Sequence, residues 1–340
     1  MMKKVILSAL CITGSLLLQA QEPHFSMFYQ NPAGLNPALA GVNECIMRIG
    51  GIYRDQWRTV GKPYSTYSFF ADARLQPYDF KTDAFGVGLN FVGDKAGTAK
   101  MGSNDFKIIS SYHKGFIKDN RLIISFGWSL GFVNRTIDET QLYFGSQWMG
   151  DQFNSTLPSN EPFQKSSVYY FDMNAGLLTT IYITDYTVLS LGGVLNHITR
   201  PQFSFFGTDH RIGMETTLHA GLNAVLTPRT FIMPKVYLSM QEGSKELILG
   251  FNTAYYPGLE PIYMGLWYRW ARDITPVVGF SIRGFNLMLS YDVNISRFTY
   301  ASQYHGGFEI SLVKNFLCAD PFFFSKDKYS KDGKKRCPVF

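Results

Sequence analysis

Beyond residue 20, this chain of 340 residues has no apolar run near the roughly 18–20 residues that a spanning helix needs. A helical membrane protein is excluded. Cys-x-x-Cys and His-Glu-x-x-His are missing, and the Gly127 to Gly131 stretch (GWSLG) lies inside an alternating strand-like run rather than at a strand-to-helix elbow, so spacing points to no thiol zinc or redox site, no serine elbow and no zinc-protease helix. The six histidines (His24, His113, His197, His210, His219 and His305) are scattered without ligand spacing. No catalytic, cofactor-binding or metal-ligating residue is assigned, no cofactor is expected, and the chain reads as a non-enzyme. The nearest catalytic candidate is His219 beside Asn223, and a solvated or hydrogen-bonded histidine is the simpler reading. Gly93 to Gly97 resembles a hairpin turn more than a phosphate cradle. Asp138, Glu139 and Asp151 show no ligand rhythm.

What is present is a period of two. Leu122, Ile124, Phe126, Trp128, Leu130 and Phe132 alternate with Ile123, Ser125, Gly127, Ser129 and Gly131. Phe285, Leu287, Leu289, Tyr291, Val293 and Ile295 alternate with Asn286, Met288, Ser290, Asp292 and Asn294. Each such run is a strand with one greasy and one polar face. In a soluble sandwich the greasy face packs on a partner sheet, whereas in an outer-membrane barrel it faces lipid.

Residues 1–20 favour export: Lys3 and Lys4 precede the apolar Val5 to Leu18, and Leu18-Gln19-Ala20 suits signal peptidase. Gln21 is the expected mature start. Aromatic residues make up 16% of the chain, which suits lipid faces and interfacial girdles. The net charge of +6 is partly local, since Ser325 to Arg336 carries six basic residues against Asp327 and Asp332. In an exported protein this basic tail argues for solvent or an acidic protein partner rather than nucleic acid.

The alternation predicts strands at 45–57, 63–75, 84–94, 103–115, 120–134, 166–178, 186–197, 214–227, 229–240, 245–256, 260–270, 274–283, 285–296 and 305–316. Their number is even and their lengths suit tilted spanning strands. Connections alternate in length. Arg135 to Lys165, Ile198 to Gly213 and Arg297 to Tyr304 are long, while Pro228, Pro257 to Leu259 and Gly284 are short. Short inner turns and long outer loops are expected of outer-membrane barrels. The fold class is therefore an all-β transmembrane barrel of about fourteen antiparallel strands. Its organisation is a signal peptide (1–20), a periplasmic or plug-like segment (21–44), the barrel (45–316) and a basic periplasmic tail (317–340). Both termini are placed in the periplasm. Phe316 ends the last strand as an aromatic terminal signal, and Lys314 points to lipid close to that end.

The inward faces are small or amide-bearing: Gly86, Gly88 and Asn90; Asp172, Asn174 and Gly176; His219, Gly221 and Asn223. Water, a loop or the N-terminal segment could fill the space. That segment repeats Asn-Pro at Asn31-Pro32 and Asn36-Pro37, each step a turn leading into a short helical start. It is too apolar for a free tail. Three cysteines follow the leader, and Cys318 and Cys337 flank the basic tail. Those two either close it into a loop or stay unpaired.

Several stretches together resemble one family. They are Pro23 to Gly41 (PHFSMFYQNPAGLNPALAG), Tyr53 to Tyr67 (YRDQWRTVGKPYSTY), Leu142 to Gln147 (LYFGSQ), Asn196 to Pro201 (NHITRP), Gly265 to Arg269 (GLWYR) and Cys337 to Phe340 (CPVF). The match is to the PorP/SprF outer-membrane proteins of the Bacteroidetes, with Val339 where members typically carry Arg. The resemblance implies a component of the type IX secretion system and, in gliding species, of adhesin export. It implies as partners a secreted protein with a C-terminal sorting domain, a periplasmic ring lipoprotein with its associated protein, and outer-membrane lipid. On this expectation the outer loops hold the secreted partner. Asn31, Pro32, Asn36 and Pro37, with Phe322, Phe323, Lys334, Lys335, Arg336 and Phe340 of the tail, meet the machinery below. The alternative is an outer-membrane transporter of hydrophobic small molecules similar to the fatty-acid transporters, whose N-terminal hatch also carries Asn-Pro-Ala.

Overall fold

The computed structural model describes residues 24–43, 45–75, 83–116 and 121–318. The expected signal peptide lies outside these residues, as does the expected tail apart from 317 and 318, which end the last strand; Phe322, Phe323, Lys334, Lys335, Arg336, Cys337 and Phe340 are therefore outside as well. Fourteen strands follow one another: β1 (Cys45–Gln56), β2 (Tyr64–Leu75), β3 (Asp83–Ala96), β4 (Met101–Phe116), β5 (Leu122–Thr136), β6 (Ser167–Thr184), β7 (Thr187–Asn196), β8 (Glu215–Thr227), β9 (Thr230–Gln241), β10 (Ser244–Tyr255), β11 (Ile262–Arg269), β12 (Asp273–Ile282), β13 (Phe285–Asn294) and β14 (His305–Cys318). Each pairs antiparallel with its neighbours in sequence. β1 closes on β14 from Cys45 opposite Cys318 to Gln56 opposite Gly307, so the sheet is a closed barrel.

The alternation resolves in favour of lipid. On β5 the apolar Phe126, Leu130 and Phe132 are exposed, while Ser125 and Ser129 between them are buried. The same inversion recurs on β2, where Phe69 is exposed and Ser68 buried, and on β12, where Val278 is exposed and Thr275 buried. A wall with greasy residues outside and hydroxyls inside suits a hydrocarbon surround. Closure leaves no strand edge unpaired, as lipid requires.

The end where β1 begins and β14 finishes is termed the terminal rim; the opposite end is the loop rim. The loop rim carries the long connections, 137–166 between β5 and β6 and 197–214 between β7 and β8. The terminal rim carries the short ones, such as Arg283-Gly284 between β12 and β13. Strand ends fall within a few residues of expectation except in β6, which runs to Thr184 rather than 178. The β-branched run Thr179, Thr180, Ile181 and Ile183 keeps the strand going, and the register slips only between Tyr182 and Thr184. The expected hairpin turn at Gly93 to Gly97 is likewise mostly strand, since β3 continues to Ala96 and the turn begins at Gly97.

Two terminal-rim details bear on the sequence reading. Lys314 donates to the Arg283 carbonyl and lies 4.0 Å from the centroid of the Phe285 ring, so its charge is satisfied at the rim. Cys45 is disulfide-bonded, and its backbone stands opposite Cys318 in the closing seam, while the pairing weighed for Cys318 with Cys337 lies outside the described residues.

The lipid-facing assignment predicts that Leu130→Arg, a charge on an exposed outer position of β5, costs about 2–4 kcal/mol if it lies near the bilayer midplane. Urea titration of the heat-modifiable gel shift in vesicles checks this. An unchanged midpoint would place that face away from hydrocarbon.

Candidate functional site in the barrel lumen

The inside of the barrel is occupied by residues 24–43. Two asparagines organise the middle of this segment. Asn31 caps a single helical turn, Pro32–Leu35, its Oδ1 accepting from the Gly34 N–H at 2.9 Å. Its Nδ2 donates outward to Ser68 Oγ at 2.7 Å and Asn90 Oδ1 at 2.9 Å. Asn36 repeats the device over Pro37–Leu39. Its Oδ1 accepts from the Ala38 N–H at 2.9 Å, and its Nδ2 reaches the Leu177 carbonyl at 3.1 Å and His219 Nε2 at 2.9 Å. Asparagine before proline suits this, because the side chain supplies the cap and proline at the first helical position has no N–H to leave unpaired.

Those contacts correct one expectation. Asn31, Pro32, Asn36 and Pro37 are buried against the barrel wall, and in this arrangement they offer no surface to a periplasmic partner. Nor does the segment lie beneath the barrel. His219 serves here as the neighbour of the Asn36 amide.

The wall is shaped to receive the segment. A Cβ on Gly127 would stand 2.3 Å from the Ala38 nitrogen and the Pro37 carbonyl carbon. One on Gly176 would stand 2.0 Å from Asn36 Oδ1, and one on Gly86 2.1 Å from the Ala40 oxygen. Gly127 and Gly176 are direct partners on β5 and β6, so two missing side chains make one dent for the second helical turn. Nearby, the Ala40 carbonyl accepts from Ser111 Oγ at 2.8 Å and lies 2.9 Å from His113 Nε2. The Gly41 N–H donates to Asp72 at 2.8 Å, and Asp72 is itself held by a two-pronged bond from Arg48 at 2.9 and 3.0 Å.

Further along, Phe28 and Tyr29 pack into an inward-facing apolar cluster of Tyr237, Ile248, Trp267, Val277 and Met288. Tyr29 stacks on Trp267 at a centroid distance of 4.8 Å, and Asn252 Oδ1 accepts from Trp267 Nε1 at 3.0 Å. These large inward residues interrupt the small-and-polar pattern of the lumen face where the segment has its own aromatics.

Towards the loop rim the segment ends in a collar of buried charge. Glu309 accepts from the backbone N–H groups of Ser26 and Met27 at 2.6 and 2.8 Å. Arg54 bridges Asp292 at 2.7 Å and Glu309 at 3.0 Å and donates to the His24 carbonyl. Ser26 Oγ donates to Asp292 at 2.8 Å and accepts from Arg269 at 2.9 Å, and Arg269 pairs with Glu246 at 3.2 Å. The His24 ring lies between Glu246 at 3.1 Å and Glu215 at 3.4 Å. Sequence reasoning did not find this collar, although Arg54, Trp267 and Arg269 lie in stretches it singled out.

Above the collar the two long loops carry aromatic residues. Trp148 contacts Phe153 at 4.8 Å and Phe163 contacts Phe206 at 4.6 Å, while the Gln164 N–H donates to the Phe205 carbonyl, joining the loops. Tyr143, Trp148, Met149, Phe153 and Phe206 remain exposed. Asp138 begins the longer loop. Its carboxyl is held below the usual range by the Thr140 hydroxyl and, more weakly, by Lys100.

A closed fourteen-strand barrel with an apolar outer face and a lumen packed by its own N-terminal segment defines a membrane barrel of the outer-membrane type. Residues 17–313 match the family model of the type IX secretion system membrane protein PorP/SprF, and the chain belongs to that family. Among curated proteins none matches the chain. In fold the chain is similar to the toluene transporter TbuX of Ralstonia pickettii, at TM-score 0.50 and 14% identity, over 87% of this chain and 96% of that one. It is also similar to the toluene transporter TodX of Pseudomonas putida, at TM-score 0.48 and 14% identity over 83% and 92%. For a FadL homologue of Pseudomonas aeruginosa the values are 0.46 and 10%, over 84% and 94%.

Two variants test the packing of the lumen. Gly127→Val sets a side chain against the backbone of the second helical turn, so the barrel is expected to form while the segment becomes cleavable. Limited proteolysis with mass mapping of cuts between residues 24 and 43 reads this; wild-type resistance would dismiss the fit. Arg54→Met strands Asp292 and Glu309 without their shared cation. Removing one partner of such a buried group costs about 3–5 kcal/mol, which should lower the urea midpoint clearly.

Proposed function

We propose that this protein is a surface-holding component of the type IX secretion machinery. The barrel anchors it in the outer membrane, and the loop rim faces the cell exterior. The loops at 137–166 and 197–214 retain a secreted protein through its C-terminal sorting domain. The observation that carries this reading is the combination of an exposed aromatic surface on those loops with a lumen already filled below them. Exposed tyrosine, tryptophan and phenylalanine supply contact area at low entropic cost and are enriched at interfaces. A filled lumen favours holding cargo on the rim over threading it through the wall.

The tail takes the second contact. Lys334, Lys335 and Arg336 would meet acidic groups of the periplasmic ring lipoprotein and its associated protein. Phe322, Phe323 and Phe340 would supply the apolar part, since exposed ion pairs alone contribute only about 0–1 kcal/mol each. The rival reading is a passage for hydrophobic small molecules. Inward-facing Tyr237, Ile248, Trp267, Val277 and Met288 would suit such a solute, yet Phe28 and Tyr29 occupy that surface here.

A pull-down of the tagged protein from outer membranes in mild detergent tests the first reading. Recovery of a large secreted protein together with the ring lipoprotein is expected, and removal of residues 319–340 should abolish only the ring contact. A barrel recovered alone and monodisperse, with uptake of a hydrophobic solute lost on deletion, would reverse the choice.

A further inference from the structure

The lumenal segment has a direction, and it runs the full height of the barrel. Its foot is tied at the terminal rim. Gly41 is bonded to Asp72 near the end of β2, and Asn43 donates to Asn315 near the end of β14 at 3.2 Å. Its middle meets Asn90, Leu177 and His219 partway up the wall. Its head is tied at the loop rim. Glu215 is the first residue of β8, Arg269 the last of β11, Glu246 near the start of β10, and Asp292 and Arg54 near the ends of β13 and β1.

Burial changes along the head in the same sense. Met27 is wholly buried and Ser26 2% exposed, whereas the His24 side chain is 23% exposed. Below His24 the lumen is taken up by the charged collar, by Phe28 and Tyr29 with their partners, and by the rest of the segment. The side left open at His24 is therefore that of the loop rim.

We propose that the head of the segment, at His24, opens onto the loop rim, on the opposite side of the membrane from the end of β14, and belongs to the same surface as the two aromatic loops. A partner held by those loops would then meet His24, presented by the collar of Arg54, Arg269, Glu215, Glu246 and Glu309. This reading departs from the expectation that both termini share the periplasm. It deepens the surface-holding reading without depending on which rim faces outward.

The test places one short epitope in each of three full-length variants: after Gln21, at Asp151 in the 137–166 loop, and at Asp185 in the turn between β6 and β7. Heat-modifiable mobility confirms folding of each, and antibody capture from detergent confirms that each epitope can be bound. Antibody staining of intact and permeabilised cells then assigns sides. The epitope after Gln21 is expected to stain with the one at Asp151, and the one at Asp185 only on the other side. If the Gln21 epitope instead follows Asp185, the proposal is overturned. An exchange of the Asp151 and Asp185 patterns would overturn the orientation of the barrel alone, with the Gln21 epitope still tracking Asp151. Should the epitope after Gln21 prevent folding, Glu22→Cys with a membrane-impermeant maleimide, read against the parent protein, gives the same assignment.

Discussion

Hydrogen-bond closure between β1 and β14 is the constraint from which the remaining structure follows. Within hydrocarbon a free strand edge would leave a row of peptide groups without partners, so the sheet must return to its beginning. Once it does, every strand has a lipid side and a lumen side, and the alternation of residues has no freedom left. Closure also fixes an enclosed volume. Fourteen strands surround more space than their own side chains can fill when so many inward positions are glycine, serine and asparagine. The N-terminal segment resolves that mismatch, and its second asparagine-capped turn and the Ala40 that follows sit where glycines on β3, β5 and β6 leave room.

Energetically the segment is held by different means at its two ends. Near the foot the contacts are mostly backbone groups and amides against neutral wall residues, with the Arg48–Asp72 pair buttressing one of them. Near the head they are ionic and deeply buried. Burial of charge is unfavourable unless each group finds partners, and here the partners come from β1, β8, β10, β11, β13 and β14 together with the segment itself. Such a set specifies position more than it adds stability. The Ser26 hydroxyl and two consecutive backbone N–H groups fit the spaces between Arg269, Asp292 and Glu309, which fixes the segment's register.

Much of the barrel was legible in the sequence because its signal is local. A strand such as Leu122 to Phe132 announces itself within a dozen residues, and Gly284 or Pro228 marks a turn without reference to anything distant. The overrun of β6 was missed because the assigned strand stopped at 178, although Thr179 to Thr184 is β-branched throughout except for Tyr182. The lumen was legible as a space with three candidate fillers, water, a loop or the N-terminal segment, because Gly86 and Gly176 marked room inside the wall. What fills it, and in which direction, depends on pairs such as Ser26 with Glu309, far apart along the chain. No window of sequence contains both. Met288 looked like one of the small or polar neighbours on β13, and Trp267 belonged to a recognised stretch without a role. Both became intelligible only beside Phe28 and Tyr29.

The bond from Glu309 to the Ser26 and Met27 backbones also has a meaning in time. Glu309 belongs to the last strand of the barrel, and Ser26 lies close to the start of the described residues. Their meeting closes a loop almost as long as the protein, a slow kind of contact whose entropic cost must be met before it gives any return. The head of the segment therefore stays without its final partner until the whole barrel has been synthesised and its seam is forming. Locking of the N-terminus thus registers that assembly is complete, and a barrel halted one strand short would be left with an unanchored head.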